Sequence, residues 1–161
     1  MKNTNVARVV HLFEKSQHVP TVANWIYNEF WAGKGSYSSE DLAALLYRAT
    51  GEDAIPLSML ALCSDVPVGT VNLIEHDDEN RQELTPWLAA LYVLPEYRSG
   101  GVGTLLVRTL QQQAAKLGIG SMYLGTDNPG FYGRLGAKIH EQPSDDFCIM
   151  RLQTWGDQLT G

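Results

Sequence analysis

The spacing of apolar residues changes several times along this chain, and each change marks an element. Val6 to Leu12 reads as a first strand. Val19, Ala23, Ile26 and Phe30 then recur at spacings of four, three and four, which describes one face of a helix, with Pro20 tolerated in its first turn. Gly33 and Gly35 break that pattern. Ser38-Ser39-Glu40-Asp41 offers a capped, acid-first start to a second helix bearing Leu42, Leu45, Leu46 and Ala49. Three strand-like runs follow: Leu57 to Cys63, Val68 to Ile74 and Trp87 to Val93. Asp65-Val66-Pro67 and the polar stretch His76 to Arg81 separate them, as in an antiparallel meander.

After Gly103 the period becomes helical again. Leu106, Leu110, Ala114 and Leu117 occupy one side, Arg108, Gln111, Gln112 and Lys116 the other, and Gly118 is the expected terminator. A short strand, Ser121 to Leu124, precedes Thr126-Asp127-Asn128-Pro129, where Asp127 or Asn128 can cap and Pro129 suits a first helical turn. The helix that follows holds Phe131 to Leu135 and stops at Gly136, before an extended Ala137 to His140. There is no repeat or linker. The order predicts a single domain over residues 1–161, of α/β (α+β) class. Its expected form is three layers, a mixed and mostly antiparallel sheet of six or seven strands flanked by about four helices.

The chemistry concentrates where the run Leu91-Tyr92-Val93-Leu94-Pro95 passes into Glu96-Tyr97-Arg98-Ser99-Gly100-Gly101-Val102-Gly103-Thr104. A strand, a glycine turn and a helix start make an anion cradle, because unpaired N–H groups at the helix start attract negative charge and glycines let it approach. Two phosphate motifs fail. A Walker loop needs Lys-Ser or Lys-Thr after its last glycine, and no lysine occurs before Lys116. A dinucleotide fingerprint needs a small residue where Leu106 stands and an acidic residue farther on that is missing. What remains is Arg-x-x-Gly-x-Gly at Arg98, Gly101 and Gly103. It resembles the pyrophosphate signature of the GNAT superfamily of acetyl-CoA-dependent N-acetyltransferases. Downstream, Phe131-Tyr132-x-x-x-Gly136 resembles a second segment of that family, and the order of elements is similar from about Val6 to Leu152.

The resemblance implies acetyl-CoA as co-substrate and acetyl transfer to a primary amine of a small molecule or peptide, by direct attack in a ternary complex. It implies that Leu91, Tyr92 and Val93 hold the pantetheine arm where the fourth strand splays from the fifth. Arg98, Ser99, Gly100, Gly101, Val102, Gly103 and Thr104 would cradle the pyrophosphate, and Tyr132 would protonate the departing sulfur as general acid. Tyr132 as a half-buried packing residue is the structural alternative. Asn128, only four residues before Tyr132, is either a ligand of the pantetheine arm or simply a helix cap. The base stays open among Glu75, His76, Asp127 and a chain of waters. Acceptor recognition falls by resemblance in the turn Trp31 to Tyr37, with Trp31 and Tyr37 as the pocket candidates and Phe30 and Ile26 as core. Trp87 is expected to pack within the sheet.

Composition sets limits. At 161 residues with 44% apolar content, the chain can bury a sizeable core. A net charge of -6 argues against nucleic acid or an anionic membrane as partner and suits a cationic amine, although mild acidity also serves solubility. Cys63 and Cys148 make neither a metal spacing nor a disulfide scaffold, so core packing and no metal are expected. Met1 to Asn5 lacks the apolar stretch of a secretion signal, and a cytoplasmic protein is expected, with a homodimer left open. Two other functions compete: a non-catalytic acetyl-CoA sensor, and an interaction module that presents its exposed aromatics to a protein.

Overall fold

The computed structural model describes residues 6–154; Met1 to Asn5, read above for a secretion signal, lies outside them, as does 155–161. Seven strands form one sheet in the order β1-β2-β3-β4-β5-β7-β6. They are β1 Arg8–His11, β2 Leu57–Cys63, β3 Val66–Ile74, β4 Trp87–Val93, β5 Ser121–Thr126, β6 Lys138–Ser144 and β7 Phe147–Gln153. All neighbours run antiparallel except β4 and β5. The helices are α1 Val19–Ile26, α2 Ser39–Leu46, α3 Val102–Lys116 and α4 Pro129–Arg134.

Alternation in β2 sorts the two faces. Leu57, Met59, Ala61 and Cys63 join Val102, Leu106, Leu110 and Ala114 of α3 in the larger core, whereas Leu60 and Leu62 meet Val22, Ala23, Ile26 and Leu42 of α1 and α2 on the opposite face. Gly69 lets α3 approach closely. A Cβ there would lie 2.9 Å from the Tyr92 carbonyl oxygen and 3.0 Å from Leu106 Cδ1. Both cysteines are free and buried.

The capped start of α2 is reciprocal: Asp41 N–H donates to Ser38 Oγ at 3.0 Å and Ser38 N–H to Asp41 Oδ2 at 2.9 Å. Two features differ from expectation. The helical face beginning at Val19 leaves α geometry after Ile26 and finishes as a π turn over Tyr27–Trp31, with Phe30 only partly buried beside Ile26. Leu12, expected in the first strand, instead opens a 3-10 turn, Leu12–His18. The closing strands form a hairpin whose second member, β7, lies between β5 and the edge strand β6.

Candidate active site

On β4, Tyr92 opposes Thr70 and Ala89 opposes Asn72, so Ala90 and Leu91 together face Val71. That extra residue is a β-bulge, which bends the strand. Ala90 sits at φ 55°, a left-handed conformation that costs a residue with a side chain about 1–2 kcal/mol. Beyond the bend β4 leaves its parallel neighbour: the register between β4 and β5 is confined to Trp87 and Tyr123. Leu91, Tyr92 and Val93 therefore have no partner in the β4–β5 ladder.

The cradle begins at the end of the same strand. Leu94 N–H donates to Val68 O at 2.9 Å, and a 3-10 turn over Pro95–Tyr97 leads into the glycines. Ser99 at φ 67° and Gly101 at φ 90° are left-handed, and α3 starts directly after Gly101. Leu105 N–H is bonded to Gly101 O at 2.9 Å, so the N–H groups of Val102, Gly103 and Thr104 precede any carbonyl that the helix could offer them. The positive end of a 15-residue helix stands behind these donors. Arg98 turns back toward the strand. Its Nε donates to Val93 O at 2.8 Å, and its guanidinium carbon lies 5.4 Å from the centre of the Tyr92 ring. Trp25 of α1 lies 5.7 Å from the same ring. On the β1 side of the turn, an open groove of about 660 Å³ is lined by residues including Ala7, Cys63, Glu96, Tyr97 and Leu105.

α4 rests on the first turn of α3: a Cβ on Gly103 would lie 3.4 Å from Phe131 Cζ and 3.9 Å from Val93 Cγ2, ordinary contact distances that leave no room for a branched side chain. Tyr132 follows, edge-on to Phe131 with ring centres 4.9 Å apart. It is 8% exposed, and its hydroxyl makes no hydrogen bond among the described residues. Burial pushes its phenol well above the usual range, so it stays protonated at neutral pH. Of the two capping candidates, Asn128 is the cap: its Oδ1 accepts from Phe131 N–H at 3.4 Å, while its own N–H donates to Thr126 Oγ1 at 2.8 Å. Asp127 is exposed.

The other candidates lie apart from this cluster. Trp31 and Tyr37 meet edge-on at 4.9 Å in the loop between α1 and α2, with Lys34 Nζ 5.9 Å from the Trp31 ring. Glu75 is not brought to the bulge. It follows the Ile74–Trp87 pair at the end of β3 remote from the cradle, level with Pro86. Ala90 is four residues farther along β4, roughly 13 Å at the strand rise and beyond a glutamate side chain's reach. The Glu75 main-chain oxygen accepts from Thr85 Oγ1 at 2.6 Å. The same loop crosses the sheet, since Arg81 forms two bonds to Glu141 of β6, at 2.9 and 2.7 Å, and one to Asp78 at 2.9 Å. Trp87 packs beneath it with Leu84 and Ile149. Here the sequence reading passed over Asp77. The residue is exposed overall, yet partial burial of its carboxyl and then the charge of Asp78 push it up to about 6. Among the described residues there is no cluster suited to a metal ion and no helix long and apolar enough to cross a membrane.

A sequence model of the acetyltransferase (GNAT) family matches residues 23–137. Solved structures share the fold. A GNAT-family acetyltransferase from Staphylococcus aureus Mu50 is 17% identical with a TM-score of 0.69, over 92% of this chain and 99% of the other. An aminoglycoside 6'-acetyltransferase type Ii is 20% identical with a TM-score of 0.67, over 91% and 96%. The PaiA N-acetyltransferase of Thermoplasma acidophilum, in complex with coenzyme A, is 21% identical with a TM-score of 0.67, over 92% and 99%. A search of curated proteins finds none that matches.

Proposed function

The chain belongs to the acetyltransferase (GNAT) family, and from that premise we propose that it transfers the acetyl group of acetyl-CoA to a primary amine of a small molecule or peptide by direct attack in a ternary complex. One observation supports the reading: β4 parts from β5 just before it runs into the glycine cradle at the start of α3, and α4, which carries the buried Tyr132, packs on that same first turn through Phe131. Residues Arg98 to Thr104 receive the pyrophosphate, chiefly through N–H groups at the start of α3. Arg98 braces the turn through Val93 O. Main-chain groups of Leu91 to Val93 align the pantetheine arm and donate to the thioester oxygen as it gains charge. Asn128 keeps Nδ2 for the same arm while Oδ1 caps α4.

An alkyl amine of pKa about 10 is almost wholly protonated at neutral pH and must lose a proton before its lone pair attacks. Glu75 is kept from the bulge by its place on the strand, and Asp77 lies farther along the same loop, so a chain of waters is the relay that carries this proton away. Collapse of the tetrahedral adduct breaks the carbon–sulfur bond, and Tyr132 donates its proton to the sulfur. Trp31 and Tyr37 line the approach of the amine, where aromatic faces favour a cation.

The test is thiol release from acetyl-CoA with polyamines, amino acids, aminoglycosides and peptide N-termini, alongside calorimetry. Amine-dependent release is expected. Tight binding with no release for any amine would identify a coenzyme sensor instead, and no binding at all would favour an interaction module.

A further inference from the structure

The left-handed Ala90 needs something to hold it, and two buried polar residues with no other evident task lie beside it. Ser58 of β2 is 3% exposed and Asn72 of β3 is 6% exposed; they are cross-strand partners on the face covered by α1 and α2. Ser58 Oγ donates to Asn72 Oδ1 at 2.6 Å. Asn72 Nδ2 in turn donates to Ala89 O at 3.4 Å, the carbonyl immediately before the bulge residue. The register changes between Thr70 and Asn72, so the bond is made at the point where the extra residue enters β4. Polar groups this deep in a sheet otherwise packed with leucine, valine and methionine are retained only where they are bonded. This pair spends its bonds on one another and on the bulge.

We propose that Asn72, oriented by Ser58, is a positioning residue that holds the Ala89–Ala90 peptide in its bent conformation and so sets the direction of the main-chain donors at Leu91 to Val93. The inference rests on the reading of that segment as the seat of the thioester. It assigns Asn72 no contact with substrate. Its effect passes through Ala90, which makes it separable from ordinary core packing. A glycine at position 90 adopts the left-handed conformation without a Cβ penalty and has little need of an external brace.

The experiment is a double-mutant cycle on turnover, with Asn72→Ala measured in the wild-type and Ala90→Gly backgrounds. In the wild type Asn72→Ala lowers kcat about five- to tenfold, with KM for acetyl-CoA nearly unchanged. In the Ala90→Gly background the same substitution lowers kcat by less than about twofold. Equal losses in both backgrounds, or no loss in the wild type, would overturn the proposal. If Asn72→Ala does not fold, Ser58→Ala replaces it in the cycle with the same expected asymmetry and the same overturning result. Absence of amine-dependent turnover in the wild-type protein would instead be a failure of the functional reading, and the two failures are thereby distinguished.

Discussion

The two ends of the candidate site are built from different material. The donor end that we propose, from the bulge of β4 through the cradle to the start of α3, is made of main chain: left-handed turns at Ala90, Ser99 and Gly101 and the N–H groups that open α3. The acceptor end that we propose is made of side chains carried on a loop, Trp31 and Tyr37 between α1 and α2. Main-chain sites serve a ligand common to many proteins because they depend on geometry alone. Side-chain sites can change residue by residue with the fold intact, which suits an acceptor that differs from one family member to the next.

Substitutions can test that division. Tyr132→Phe has the largest expected effect, a loss of about 10²–10⁴-fold in turnover with acetyl-CoA affinity retained, read by steady-state kinetics beside calorimetry. An unchanged rate would return Tyr132 to a packing role. Gly103→Val places methyl groups where Phe131 packs and should weaken acetyl-CoA binding by roughly tenfold or more; a variant that folds and binds normally would break the link between α3 and α4. Trp31→Ala or Tyr37→Ala should raise KM for a cationic amine by about two- to fivefold and leave acetyl-CoA affinity alone. If either weakened the coenzyme instead, the two ends would not be separate.

Asp77→Asn has the smallest expected effect, and its sign follows from linkage. Its folded value of about 6 stands above the ordinary carboxylate range, so ionising Asp77 costs the folded state stability as pH rises from about 4 to 6. The variant should therefore melt slightly higher than wild type at pH 7 and no higher at pH 3. Equal melting temperatures at both would show the carboxyl to be ordinary.

How well each end could be read in the sequence follows the same division. Gly101 is visible because an unsubstituted residue is the common answer to a positive φ, and the periodicity of α3 needs no partner to be seen. The start of α2 was legible because Ser38 and Asp41 bond within one turn. The bulge was not. Its left-handed residue is an alanine, which carries no local sign of strain, and its brace comes from Asn72 on another strand. The insertion of β7 between β5 and β6 is a matter of pairing between distant segments, and no local period encodes it. Glu75 looked close to the cleft because it ends a strand, but antiparallel register sends that end away from the cradle. The π turn at Tyr27–Trp31 escaped for a simpler reason, since apolar spacing hardly distinguishes it from α-helix over five residues.

The most direct measurement is a calorimetric titration of acetyl-CoA into wild-type protein and into Gly103→Val and Trp31→Ala, each first shown to be folded by thermal melting. Saturable binding to the wild type, retained by Trp31→Ala and weakened or lost in Gly103→Val, is the expected result. No binding to the wild type at millimolar acetyl-CoA, or equal binding by all three, would contradict a coenzyme site built on the first turn of α3.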